Sequence, residues 1–253
     1  SSAASDVYKR QGMKQLHCIA LHTVRYNDRN NILTAFSLED GRVSLLVPAT
    51  ASREARRQRA ITMPMSFFEC IANYRHGGSI ANMSDVRQSI PLPGLTGNPV
   101  KITVALFLAE LLGVVLRETP EDPLLFNYLS YSATRLDAAS AGETANFTIH
   151  FLYRLGRFLG IEPDTSTYRR GRVFDMLDGT FRDSAPLHRK FLDGEDADAV
   201  YMLSRMSWEN YGMFRFNRDQ RRRILAAIID YYTAHYTSLT RLNSLEILKE
   251  IFD

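Results

Sequence analysis

Four arginines fall within seven residues, at Arg53, Arg56, Arg57 and Arg59. So many like charges cannot be buried together, so they must stand in water. A guanidinium is a planar fork that can donate two hydrogen bonds to one phosphate or carboxylate. Arg53, Arg56 and Arg57 are spaced i, i+3, i+4 and would share one face if their loop turned helical. Arg25, Arg29 and Arg42 precede them at the ends of strand-like runs. These seven residues are the leading candidates for contact with phosphate groups. Arg169, Arg170 and Arg172 form a second cluster, and Arg221, Arg222 and Arg223 a third. The third suits a solvated helix face near a helix start at least as well.

Other chemistry finds little support. The six histidines, His17, His22, His76, His150, His188 and His235, are scattered, and none pairs with a second His or a Cys at metal-ligand spacing. Asp175 and Asp178 could be imagined as a metal-dependent nuclease pair, but the further carboxylates such a site needs are missing nearby. Gly77-Gly78 is too short for a phosphate loop and lacks the following Gly-Lys-Ser/Thr. No Gly-x-Ser-x-Gly elbow occurs. Cys18 and Cys70 lie in β-like runs and read as buried free thiols of a reducing cytoplasm. The expectation is a protein that is not an enzyme, with no catalytic residue, metal or cofactor.

The arginines are positioned by a hairpin. Ile32–Phe36 and Val43–Val47 are apolar strands around Glu39-Asp40-Gly41, a turn in which Gly accepts positive φ. Pro48 ends the second strand. Leu16–Val24 precedes the hairpin as a strand, and Met65–Tyr74 and Ser79–Val86 follow it, with a turn at His76-Gly77-Gly78. Five short strands with one long break between the third and fourth suggest a small closed barrel of the OB type. Residues 1–12 lack periodicity and read as a leader outside the fold. Residues 13–92 are the barrel, and 93–99, rich in Pro and Gly, a linker. Residues 100–253 are a helical domain, with helices over Lys101–Arg117, Leu124–Ala138, Thr144–Leu159, Ala197–Trp208, Arg218–Tyr236 and Ser244–Phe252. Asn217 with Gln220 resembles a capping box. Glu162–Lys190 reads as irregular. The fold class is α+β: an N-terminal five-stranded OB-type β-barrel followed by an all-α C-terminal domain. The charge is uneven, +4 over Met13–Leu92 and −2 over Gly97–Asp253. That division fits one part that meets phosphate and another that meets protein. No apolar run approaches the roughly 20 residues of a membrane helix.

From Met13 onward the sequence resembles the RecO family of bacterial recombination mediators. The likeness rests on His22–Tyr26, Asn31–Ser37 and Gly41-Arg42-Val43 leading to an arginine-rich stretch. It continues in Leu108–Leu112, Pro123–Leu129, Phe151–Gly156, Phe158–Pro163 and Asn243–Leu248. Each piece is short, and their order and spacing carry the likeness. The resemblance implies binding of single- and double-stranded DNA, strand annealing and loading of the RecA recombinase at gaps. It implies RecR and the C-terminal tail of single-stranded-DNA-binding protein as partners, and a cytoplasmic, nucleoid-associated place. Arg154 and Arg157, on the helix bearing Phe151 and Phe158, are candidates for the tail's carboxylate. Many relatives carry a four-cysteine zinc finger where Glu162–Gly179 here has no cysteine, so Tyr168–Val173 must hold that segment otherwise. Two other functions stand beside this one: an interaction scaffold whose barrel binds no nucleic acid, and a nuclease using Asp175 and Asp178.

Overall fold

The computed structural model describes residues 12–74, 78–239 and 242–251. Of the expected leader only Gly12 is among them, and of the His76-Gly77-Gly78 turn only Gly78. The chain forms two compact units, one running to Asp137 and one from Ala138 onward.

In the first unit, strands β1 (Met13–Arg25), β2 (Asn30–Ser37), β3 (Gly41–Pro48), β4 (Phe67–Tyr74) and β5 (Ile80–Ile90) form a closed barrel in the order β1-β2-β3-β5-β4. Only β3 and β5 run parallel; the other pairs are antiparallel. Successive side chains of a strand face opposite sides, so Val43, Leu45 and Val47 point inward and join Leu33, Phe68 and Ala81 in the core. Cys18 and Cys70 are buried free thiols in the same core. Gly41 has φ +63°, the conformation the Asp-Gly signal called for. Its turn is not open to solvent, however. A Cβ there would clash with the Pro120 carbonyl carbon and approach Thr119 O to 2.6 Å. Glu39 fixes the same turn by accepting from His17 N at 2.9 Å.

The Arg53–Arg59 stretch is helical, not a loop. Helix α1 (Arg53–Ile61) starts at Ser52, whose hydroxyl accepts from Ala55 N at 3.1 Å. The stretch expected as a linker begins with α2 (Pro93–Thr96), and Asn98 then caps α3 (Pro99–Val115). Pro93 and Pro99 start helices here, because a helix's first turn has no use for the missing N–H. With α4 (Pro123–Ala138) these helices belong to the barrel's unit up to Asp137. Asp137 ties them together, accepting from Leu95 N at 2.7 Å on its side chain and from Lys101 Nζ at 2.7 Å on its carbonyl.

In the second unit, α5 (Ala141–Phe158) carries Phe147, Phe151 and Leu155, all buried. The stretch expected to be irregular folds into a small sheet of β6 (Val173–Asp175), β7 (Thr180–Arg182) and β8 (Phe191–Leu192), with β6 central. Helices α6 (Gly194–Ser204), α7 (Arg218–His235) and α8 (Asn243–Ile251) follow. The capping box opening α7 is present, with Asn217 and Gln220 exchanging 2.9 Å bonds.

Candidate nucleic-acid interface

Helix α1 has two faces. Ala55 is buried, and Arg59 one turn later lies on the same side. The Arg59 guanidinium therefore folds back and donates to Pro48 O at 2.7 Å and Thr50 O at 2.8 Å. Arg53, Arg56 and Arg57 face water. Arg57 reaches Glu54 at 3.1 Å and Val86 O at 3.3 Å. Arg53 and Arg56 have no side-chain partner among the described residues, so their full donor capacity faces solvent.

The barrel places the β1–β2 loop at the same end. Asn31 pairs with both Arg25 and Val47, and Arg29 O accepts from Ala49 N at 2.8 Å. Asn27 Oδ1 accepts from Arg29 N at 2.9 Å and Asn30 N at 2.8 Å, which makes this a tight, ordered turn. Arg25 pairs with Asp28 at 2.7 Å, and Arg29 projects into solvent. Tyr26 between them is 57% exposed. Sequence reasoning missed Tyr26 because alternation says which residues face inward, not which aromatic is left outside. It also missed Arg87, exposed on β5 immediately after the Val86 carbonyl that Arg57 holds.

Arg42 does not join this surface. It lies opposite Phe36, at the other end of the hairpin from the Asn31–Val47 pair. Arg42 lies five residue steps along the strand from Val47, roughly 17 Å at about 3.3 Å per step. Its Nη1 donates to Arg117 O at 3.5 Å. Burial, and then the charge of Arg117, pull its pKa below the ordinary arginine value. Six of the seven first-choice arginines thus gather at one end of the barrel, five of them exposed and Arg59 folded back onto backbone.

In the second unit, Arg169 and Arg170 are exposed. Arg172 is engaged, donating to Asp183 at 2.7 Å and to Thr167 O at 2.7 Å. In the third cluster Arg221 donates to Phe216 O at 2.5 Å and Arg223 pairs with Glu195 at 2.7 Å. Asp175, 1% exposed, accepts from Leu177 N at 2.9 Å and meets Arg182 Nε at 3.0 Å and His188 Nε2 at 3.3 Å. Asp178 is paired with Arg182. Both carboxylates imagined as a nuclease pair are thus turned to holding the small sheet. Among the described residues no three His, Cys, Asp or Glu side chains come together as metal ligands.

The family model described as recombination protein O, N terminal, matches residues 13–89, and that for recombination protein O, C terminal, matches residues 97–246. The chain belongs to the RecO family. Proteins named DNA repair protein RecO from Phocaeicola vulgatus and Bacteroides fragilis are 38% and 37% identical to it, over 92% and 93% of this chain and 97% of each relative. One from Porphyromonas gingivalis is 31% identical over 93% of this chain and 97% of its own length.

A four-cysteine zinc site does not fit this RecO-family chain, since Glu162–Gly179 contains no cysteine. Stacking and ion pairs hold the segment in its place. The Tyr168 ring lies flat on Tyr201 at 4.1 Å and edge-on to Phe181 at 5.2 Å, and its hydroxyl donates to Asp198 at 2.9 Å.

Of the two arginines considered for a partner's carboxylate, Arg154 is committed to backbone: it donates to Ser204 O at 3.2 Å and also to Met206 O. Arg157 is exposed. On the same helix, Leu152 and Gly156 line a small apolar cavity of about 30 Å³, walled further by Phe174, Val200, Leu203 and Ile228.

His150, on α5, is 1% exposed and stacks on Tyr211 at 5.3 Å, with Trp208 edge-on at 4.5 Å. Neither ring nitrogen has a hydrogen-bond partner among the described residues. Burial, and then the charge of Arg154, lower its pKa from 6.5 to about 3, against a weaker opposing effect of Glu209. Below pH 6.5 the unfolded chain takes up a proton here that the folded one refuses, so stability falls with pH. The slope between those two values is about 1.4 kcal/mol per unit from this residue. Unfolding free energies from urea titration of the parent and of His150→Leu, taken from pH 7 to pH 4.5, should diverge by that slope. Parallel curves would show that His150 is not an acid-sensitive group.

Proposed function

We propose that this chain is a non-enzymatic mediator of DNA repair and recombination. It binds single- and double-stranded DNA, anneals complementary strands and helps load the RecA recombinase at gaps coated with single-stranded-DNA-binding protein. RecR is a partner. The observation that carries this reading is the end of the OB barrel, where Arg25, Arg29, Arg53, Arg56 and Arg57 are exposed at the same end as an exposed Tyr26. Arginine forks follow a phosphate backbone without reading sequence, and an exposed ring can stack on a base of any kind. Annealing requires two phosphate backbones to approach each other, so their repulsion must be screened, and such a surface supplies the screening charge. Family membership, and relatives that share the name DNA repair protein RecO, support the same role.

The acidic, apolar tail of single-stranded-DNA-binding protein binds the second unit in this reading, with its carboxylate on the exposed Arg157. A tail's carboxylate needs a cation. The decisive experiment mixes two complementary oligonucleotides, one dye-labelled and one quencher-labelled, with and without the protein. Acceleration of annealing that fades as salt rises is the expected outcome. No acceleration, together with no retention on single-stranded DNA at low salt, would leave an interaction scaffold as the better reading. Degradation of the labelled strand on adding magnesium would overturn the non-enzymatic role.

A further inference from the structure

The second unit is electrically balanced, with sixteen Lys and Arg against sixteen Asp and Glu from Ala138 to Asp253. Its charge is not evenly spread. Between Tyr168 and Lys190 stand six cations and three aspartates. The aspartates are taken: Asp183 by Arg172, and Asp175 and Asp178 by Arg182. That leaves Arg169, Arg170, Arg189 and Lys190 exposed, without an ion pair among the described residues.

The small sheet gathers these four. Arg169 and Arg170 precede β6, near the end where Val173 pairs with Arg182. Arg189 and Lys190 sit at the other end, where Phe191 pairs with Asp175 and Lys190 O accepts from Met176 N at 3.1 Å. The two cation pairs thus flank β6, one beyond each of its ends. The crossing loop is fastened by His188, which meets Asp175 at 3.3 Å and accepts from Lys190 N at 3.2 Å. Just before that fastening, Leu187 is fully exposed, at 108%. A leucine held wholly in water, next to a proline and among unpaired cations, has the chemistry of a wedge that meets a base while its neighbours hold phosphates.

We infer that this sheet and loop form a second nucleic-acid surface, which takes a single strand. Arg169, Arg170, Arg189 and Lys190 bind its phosphates, and Leu187 packs against an unstacked base. A single strand suits it better than a duplex, because the wedge then needs no base pair opened. The inference rests on the reading that the barrel binds the first strand. Each unit then holds one strand, and one chain can bring two strands together. An anionic lipid surface would also attract basic residues beside an exposed leucine, but one apolar side chain buries little area in a bilayer.

The test separates the two surfaces. A single-stranded oligonucleotide of about 15 nucleotides is fixed to beads and loaded with the full chain. A labelled, non-complementary strand is then added and the captured label counted. The parent should stay on the beads and capture the second strand. The variant R169A/R170A/R189A/K190A should stay on the beads and capture at most a tenth as much. R169K/R170K/R189K, which keeps the charge, should restore most of the capture, so a folding defect cannot mimic the result. Leu187→Ala should weaken capture with an unchanged salt slope. Capture by the quadruple variant equal to the parent's would overturn the inference and leave the barrel reading intact. A parent that never stays on the beads would overturn both. Loop-dependent retention on anionic phosphatidylserine vesicles without second-strand capture would also overturn it.

Discussion

Replacing Arg29, Arg53 and Arg56 together by Ala should weaken binding to single-stranded DNA by at least tenfold at low salt, for all sequences alike. None of the three side chains has a hydrogen-bond or ion-pair partner among the described residues, and all are exposed. Folding should therefore be nearly unaffected, since such surface changes usually stay within about 0.5 kcal/mol each. The slope of log K against log salt should become shallower by roughly 0.7 per lost phosphate contact, so by about 2 for the three. Arg42→Ala is the internal control, because Arg42 sits at the far end of the hairpin. It should bind DNA like the parent. Arg59→Ala tests something different: its guanidinium is spent on Pro48 O and Thr50 O, so its loss should loosen the joint between β3 and α1. Equal weakening by Arg42→Ala and by the triple variant would show that binding depends on overall charge rather than on this surface.

Gly41→Ala should cost the protein on the order of 2–4 kcal/mol. Two independent penalties combine there. The φ of +63° is strained for any residue with a Cβ. The added carbon would also run into the backbone of Pro120, and would lie 2.6 Å from Thr119 O and 2.7 Å from Glu121 N. No flexible side-chain end is available to move aside. Gly142, in α5, is the contrasting site, with nothing within 4 Å of its added Cβ. Gly142→Ala should be neutral or stabilising by up to about 1 kcal/mol. Denaturant titration of the two variants compares them directly. A Gly41→Ala protein as stable as Gly142→Ala would mean that the β2–β3 turn is not seated on the 119–121 backbone.

The barrel was legible because its strands alternate. β3 shows this most cleanly, with every second residue from Gly41 to Val47 buried, and the Asp-Gly turn fixed its register. α1 was read as a loop because it buries only Ala55. With one buried residue in nine there is no apolar stripe to detect, and the remaining signals were Ser52 as a cap and the spacing of the arginines themselves. The sheet of the second unit was invisible for a related reason. Strands of two and three residues are too short to display a period. Prolines at 93 and 99 read as breakers, although a first helical turn accommodates them. The arginine cluster was found from residue type alone, but sequence distance could not say that Arg42 falls at the opposite end of its hairpin. Nor could it show that Arg154 spends its donors on backbone, or that Arg172 and Arg223 are held in surface ion pairs. Exposure of Tyr26 and Leu187 belongs to the same class: which apolar groups are left in water depends on the whole packing, not on local pattern.

In the proposed function, the arginine-bearing end of the barrel holds single-stranded DNA through its phosphates. A fluorescence titration of the unmodified chain against two labelled single strands of unrelated sequence, repeated at four salt concentrations, tests it most directly. Similar affinities for both strands are expected, with a straight line of log K against log salt and a slope of roughly −0.7 for each phosphate engaged. With five exposed arginines at this end, the slope should be about −3.5. Affinity that ignores salt, or no binding at the lowest salt, would contradict it.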